Sequence, residues 1–186
     1  IVLAQEIFPE SVRHINSKAI IGDMALRDLF KSNSEIASGH LDYEAFSLAR
    51  RLHKKGYKVL VLPAKGGPYG GNFLKGPVSY KKLAVSAGLG MIGWNDLLLM
   101  PKFGPKVRLA CVITDVPIDI KISIKEFVSP CIECGGACIK ICPIKAISRP
   151  KDGELCQIDK YACNTFLISS EVCAECIKVC PGLKVN

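Results

Sequence analysis

Nine of the ten cysteines fall within the last 56 of the 186 residues, and their spacing is that of metal ligands. One run reads Cys131-Ile-Glu-Cys134-Gly-Gly-Ala-Cys138-Ile-Lys-Ile-Cys142-Pro143, and a second reads Cys173-Ala-Glu-Cys176-Ile-Lys-Val-Cys180-Pro181. The two are copies of one motif. A cubane iron–sulfur cluster needs four thiolates around it, and a CxxC loop delivers two while turning backbone N–H groups toward the sulfides. A third thiolate follows at the start of a short helix. Local chain cannot easily wrap round to give the fourth, so the cysteine before proline in each copy serves the cluster of the other copy. This crossing assigns Cys131, Cys134, Cys138 and Cys180 to a first [4Fe–4S] cluster. It assigns Cys173, Cys176 and Cys142 to a second, which lacks one ligand.

Cys163 and Cys156 are the candidates for that last place. Cys163 lies on a predicted helix, 159–168, that leads back toward Cys173, and is chosen; Cys156 follows the turn-like Lys151-Asp-Gly-Glu154 and is expected to be free. Structural zinc is the competing chemistry, since two CxxC pairs can build a four-thiolate site. Zinc would leave both CxxxCP extensions without a purpose. His14, His40 and His53 stand apart from one another and from the cysteines, and His14 and His53, on predicted helices, are read as surface or boundary residues.

The elements that must position these thiols divide the chain at about residue 128. Residues 1–128 hold one cysteine, Cys111, and enough apolar sequence to fold without crosslinks, which favours a reducing compartment, expected to be the cytoplasm. Up to residue 130 there are 18 Lys and Arg against 11 Asp and Glu, while the remainder carries 7 against 6. Eight bound thiolates and two cubane cores would turn the tail acidic against a basic body. The basic balance is read as a solvated surface, because no base-stacking motif accompanies it. Apolar residues make up 49% of the chain and charged residues 23%, which excludes a disordered or collagen-like chain, and no apolar run approaches the ~18 residues of a membrane span. The opening Ile1-Val2-Leu3 reads as the middle of a strand, so sequence is expected upstream of it.

Within the body, 1–8 reads as a strand, and Val12, Ile15, Ala19, Ile20 and Met24 recur at helical spacing. Leu41, Ala45, Leu48, Ala49 and Leu52 stripe a second helix that Gly56 can cap, and 57–62 is a strand. A Gly/Pro-rich loop fills 63–77, a short helix spans 79–87, and 97–114 suggests two antiparallel strands joined by a turn. Gly88-Leu-Gly-Met-Ile-Gly93 is formally GxGxxG, but it leaves a helix rather than a strand, so close backbone packing explains it better than a nicotinamide site. The expected fold is α+β: an α/β body over 1–128 and a ferredoxin-like domain of two [4Fe–4S] clusters over 129–186.

The segment Leu83-Ala-Val-Ser-Ala-Gly-Leu-Gly-Met-Ile-Gly-Trp-Asn95, with Pro101–Pro105 and the Ile-Thr-Asp end of 109–115, resembles the epoxyqueuosine reductase family, which is related to the reductive dehalogenases. The resemblance runs in order from about 79 to 181. It implies an iron–sulfur oxidoreductase carrying cobalamin on the body against one of two clusters, and a cysteine at the place of Cys163 completing the second. It further implies a low-potential electron donor such as a ferredoxin or flavodoxin, and a small-molecule or tRNA substrate. No catalytic residue is assigned. Trp94 stands where that family commonly has Lys, and the first motif has one extra residue between Cys134 and Cys138. The loop 63–77 and the Gly88–Gly93 turn are expected to form two walls of a cofactor cleft facing the clusters, with Trp94 beside it. The alternative function is a ferredoxin-type electron carrier that binds no substrate.

Overall fold

A computed structural model of the protein describes residues 1–13, 15, 24–64, 78–118, 127–151, 154–169 and 172–183. The eight-residue strand β5 (Val107–Thr114) carries a run of apolar and β-branched residues, and Ala110, Cys111 and Val112 at its middle are buried. It pairs antiparallel with β1 (Val2–Glu6) on one side, in the register Val2↔Cys111 to Glu6↔Val107. On the other side it pairs with β2 (Val59–Leu62), in the register Val59↔Thr114 to Leu62↔Cys111. Since β1 and β2 both oppose β5, they run parallel to each other, and the helical connection between them crosses the sheet. The architecture is α+β. The described strands of the body form antiparallel pairs, because β5 inserts between the two strands that a wound α/β sheet would have placed side by side.

The crossover contains α1 (Pro9–Arg13) and the 31-residue α2 (Met24–Lys54). The helical pattern read from 12 to 24 is met by α1 at its start; residues 14 and 16–23 lie outside the described residues. The predicted stripe of α2 packs on the sheet, with Leu41, Ala45 and Ala49 against Ala110 and Val112. The helix begins well before that stripe. Its first half buries Phe30, Ser34 and Ser38, so the inward face continues at spacings of four and three with serines where a hydrophobic pattern would show apolar residues. The Ser38 hydroxyl donates back to the Ser34 carbonyl at 2.8 Å, which satisfies it inside the helix. Gly56 ends the helix in the left-handed conformation, φ 90°, donating its N–H to the His53 carbonyl.

After the short helix α3 (Tyr80–Ser86), capped by Ser79, the chain forms a hairpin of β3 (Met91–Ile92) and β4 (Leu98–Leu99). This corrects one expectation: the 97–100 segment pairs backward with β3, not forward with β5. A tight turn decides it, with Gly93 N–H donating to the Leu97 carbonyl and Asp96 N–H to the Gly93 carbonyl. Gly90 and Gly93 are required by that hairpin. A Cβ on Gly90 would run into the Leu99 carbonyl, and one on Gly93 would lie 2.8 Å from a Leu99 methyl.

Beyond residue 128 the elements are short: α4 (Ala137–Ile141), a two-residue ladder of β6 (Ile147–Ser148) and β7 (Gln157–Ile158), α5 (Lys160–Ser169) and α6 (Glu175–Lys178). Two cores cross the 128/129 boundary. One packs Val172, Ala174 and Ile177 on Ile7, Val12, Ile15 and Phe30; the other packs Cys131 and Leu183 on Leu99, with Trp94 and Phe127 alongside. Among the described residues no helix is long and apolar enough to cross a membrane.

Candidate functional site

The first cysteine loop is shaped by two consecutive left-handed glycines. Cys134 N–H donates to the Pro130 carbonyl at 2.9 Å and Gly135 N–H to the Ile132 carbonyl at 3.1 Å, closing a turn around Cys131. Gly135 at φ 62° and Gly136 at φ 69° then reverse the chain into α4, which presents Cys138. Cys180 arrives from beyond α6, where Gly182, at φ 74°, lies back to back with Gly104 of the body. Cys131, Cys134, Cys138 and Cys180 line one small pocket, partly open to solvent and walled by Trp94, Asn95, Pro130, Ala137 and Pro181.

The electrostatics follow from that crowding. Burial, then the charges of Cys131, Cys180 and Cys134, push the Cys138 thiol up to about 11. Burial raises Cys180 as well, against a hydrogen bond from the Gly182 backbone that favours its thiolate. A backbone N–H, that of Trp94, donates to Cys131 Sγ at 3.5 Å.

The second group forms around Cys176, whose thiol is pushed up to about 12 by burial and then by Cys173, Cys163, Cys138 and Cys142. Burial raises Cys163, followed by Cys173 and Cys142. Cys142 accepts a bond from Ala146 N–H at 3.3 Å. The charges acting on Cys176 thus come from Cys173, Cys163, Cys138 and Cys142, so the first motif reaches this group through both Cys138 and Cys142.

Four thiolates facing one space repel, and a cationic metal core relieves that repulsion. A ring of four thiols is a donor set that suits such a group. Among the described residues, no group of three or more His, Cys, Asp or Glu is placed to hold a metal ion.

The two remaining cysteines sit elsewhere. Cys111 is buried in β5. Cys156 donates its S–H to Asp96 Oδ1 at 3.3 Å, and burial together with that carboxylate raises its pKa. Asp96 also holds Lys81 at 2.7 Å and Lys160 at 3.7 Å. Burial works to raise the Asp96 carboxyl, but Lys81, the Cys156 thiol and Lys160 together hold it below the usual carboxylate range.

Sequence reasoning singled out Trp94 but missed its two neighbours. Asn95 donates to the Cys176 carbonyl at 3.4 Å, so this one turn of the body touches the first thiol set, the second and Cys156 in three successive residues. Asn and Asp are turn formers, which was the available signal. His40 and His53 are exposed on α2, and His14 lies outside the described residues. Of the two proposed cleft walls, residues 65–77 lie outside the described residues, and the Gly90 and Gly93 α-carbons face the chain's own hairpin.

No family model matches the chain. Among curated proteins, the tetrachloroethene reductive dehalogenase of Dehalobacter restrictus is 33% identical over 151 residues, covering 70% of this chain and 27% of that protein. That of Sulfurospirillum multivorans is 32% identical over 120 residues, covering 55% and 23%. The epoxyqueuosine reductase of Pseudomonas aeruginosa is 31% identical over 129 residues, covering 66% and 34%. The chain spans about a quarter of the length of the first of these relatives. By these matches it is a homologue of the related reductive dehalogenases and epoxyqueuosine reductases.

Proposed function

We propose that the chain is the electron-transferring part of an iron–sulfur oxidoreductase. Low-potential electrons would pass through two [4Fe–4S] clusters to a cofactor or substrate on the body, in the manner of an epoxyqueuosine reductase. The observation that carries this reading is the pocket that Cys131, Cys134 and Cys138 of the first motif share with Cys180, the cysteine before proline of the second. Zinc would not call for that crossing. Bound there, each cluster would take up and release single electrons.

The residues have distinct roles in this reading. Cys131, Cys134, Cys138 and Cys180 hold the first cluster, and Cys142, Cys163, Cys173 and Cys176 the second. The Trp94 N–H bonded to Cys131 and the Ala146 N–H bonded to Cys142 stabilise thiolate charge. The ferredoxin-like tail is packed into the body through shared cores, which would hold the clusters at a fixed distance from whatever the body binds. A low-potential ferredoxin or flavodoxin in the cytoplasm is the fitting donor. Cobalamin, which the family resemblance of residues 79–181 implies, would be the acceptor, with a small molecule or a tRNA as substrate.

A second reading, a two-cluster electron carrier, is favoured by one observation: Gly90 and Gly93 are used up by hairpin packing and leave no bare backbone face for a ring. Titration of anaerobically reconstituted protein with cobalamin separates the two. Saturable binding near one equivalent, with a change in the corrinoid spectrum, supports the oxidoreductase; no binding by a fully cluster-loaded chain supports the carrier.

A further inference from the structure

The turn that carries Trp94 belongs to the body, yet its side chain is a wall of the first thiol pocket. The indole packs with Leu99, Cys131 and Leu183. It is also matched to the cysteine loop: a Cβ on Gly136 would lie 3.2 and 3.3 Å from two carbons of the six-membered ring. The loop between Cys134 and Cys138 and the tryptophan are therefore packed closely at Gly136. Asn95, 4% exposed, fixes the turn from the other side, accepting from Leu97 N–H at 3.3 Å and donating to the Cys176 carbonyl. The Arg149 guanidinium lies 5.3 Å from the indole centroid.

Resting on the two-cluster reading above, we propose that Trp94 is a positioning residue that shuts water out of the first cluster and thereby lowers that cluster's reduction potential, while Arg149 opposes it. The sign follows from charge. A cubane core of 2+ with four thiolates carries two net negative charges, and adding one electron makes three. Water solvates the more highly charged state better, so a water-excluding wall disfavours reduction. A cation near the same wall favours it. The indole, with no charge of its own and a large apolar face, is suited to the first effect; a lysine at this position would act in the second sense.

The test is potentiometric titration of the cluster-loaded chain with a chemical reductant, followed by electron paramagnetic resonance, for the wild type and for Trp94→Ala, Trp94→Phe and Arg149→Gln. Trp94→Ala keeps the backbone N–H to Cys131. It should raise one of the two potentials by a tenfold or greater change in the reduction equilibrium, ~59 mV for one electron, and leave the other in place. Trp94→Phe should restore most of the shift, and Arg149→Gln should move the same cluster by a smaller amount in the opposite direction. The shift should persist in Cys163→Ala, which keeps the first cluster. Opposite signs at two neighbouring residues are not produced by a folding defect. Potentials that stay fixed, or that move together in all variants, overturn the proposal. If the alanine variant cannot be loaded, Trp94→Lys, which should raise the same potential, and Arg149→Gln decide it. A wild-type chain that takes up no cluster overturns the two-cluster reading itself.

Discussion

Glu133 and Glu175 hold the same place in two copies of one motif, yet Glu133 is exposed and Glu175 is 4% exposed and paired with Lys178 at 2.9 Å. The residues before them diverge in the same way: Ile132 is 71% exposed and Ala174 is fully buried. Lys140 points to solvent, whereas Lys178 also donates to the Ile15 carbonyl of the body. The second copy is sewn into the core beneath α1 and α2; the first leaves Ile132 and Glu133 to solvent, with Cys131 packed on Leu99 and Trp94 walling its pocket. Matching thiol chemistry is therefore compatible with quite different surroundings. Those surroundings, more than the ligand set, distinguish what the two clusters would do.

The largest way to break this symmetry is to remove one ligand. Cys163→Ala should lose one cluster, halving iron and sulfide per chain, whereas Cys156→Ala and Cys111→Ala should retain both by the same analysis. Loss of a cluster from Cys156→Ala alone would reverse the ligand assignment.

The next effect separates the two glutamates. Removing the buried Glu175 leaves Lys178 with the Ile15 carbonyl but no opposite charge, and Glu175→Ala should cost about 2 kcal/mol, less than a fully buried pair because Lys178 is partly exposed. Glu133→Ala, at an exposed site, should stay within ~0.5 kcal/mol. Thermal unfolding of the loaded protein reads both, and equal midpoints would show that the second copy is not part of the core.

The two glycines of the first loop sharpen the comparison further. Gly135→Ala should cost ~1 kcal/mol for its left-handed backbone. Gly136→Ala carries that cost and a clash as well, since its Cβ would meet Ile139 at 2.9 Å and the Trp94 ring. Cluster half-life in air should accordingly fall more for Gly136→Ala, and part of the difference should vanish on a Trp94→Ala background.

Asp96→Asn touches neither copy and gives the smallest change, ~1 kcal/mol for a partly screened pair. Asn also tolerates the φ of 56° found there. Because the Asp96 pKa is lowered by folding, its contribution is complete above the ordinary carboxylate range. It is lost as the pH falls through the depressed folded value. The gap between wild type and Asp96→Asn should therefore close in acid, and a gap that persists there would show that charge is not its cause.

What was legible in the sequence was local. Ligand spacing is set within a few residues, so the meeting of Cys131, Cys134 and Cys138 in one loop and helix could be read, and the stripe of Leu41, Ala45 and Ala49 declared its helix. The first half of α2 was hidden because Ser34 and Ser38 fill its buried positions. The pairing of 98–99 with 91–92 depended on a turn with Asp96 in a left-handed conformation, which a strand pattern does not announce. The antiparallel insertion of β5, and the burial of Val172 and Ala174 against Ile7 and Val12, are long-range facts with no local signature.

The central claim is that eight of the ten cysteines hold two cubanes. Iron, acid-labile sulfide and zinc should be measured together on protein prepared without oxygen. About eight iron and eight sulfide per chain, with broad absorption near ~400 nm, are the predicted result; stoichiometric zinc without sulfide or that absorption would contradict it.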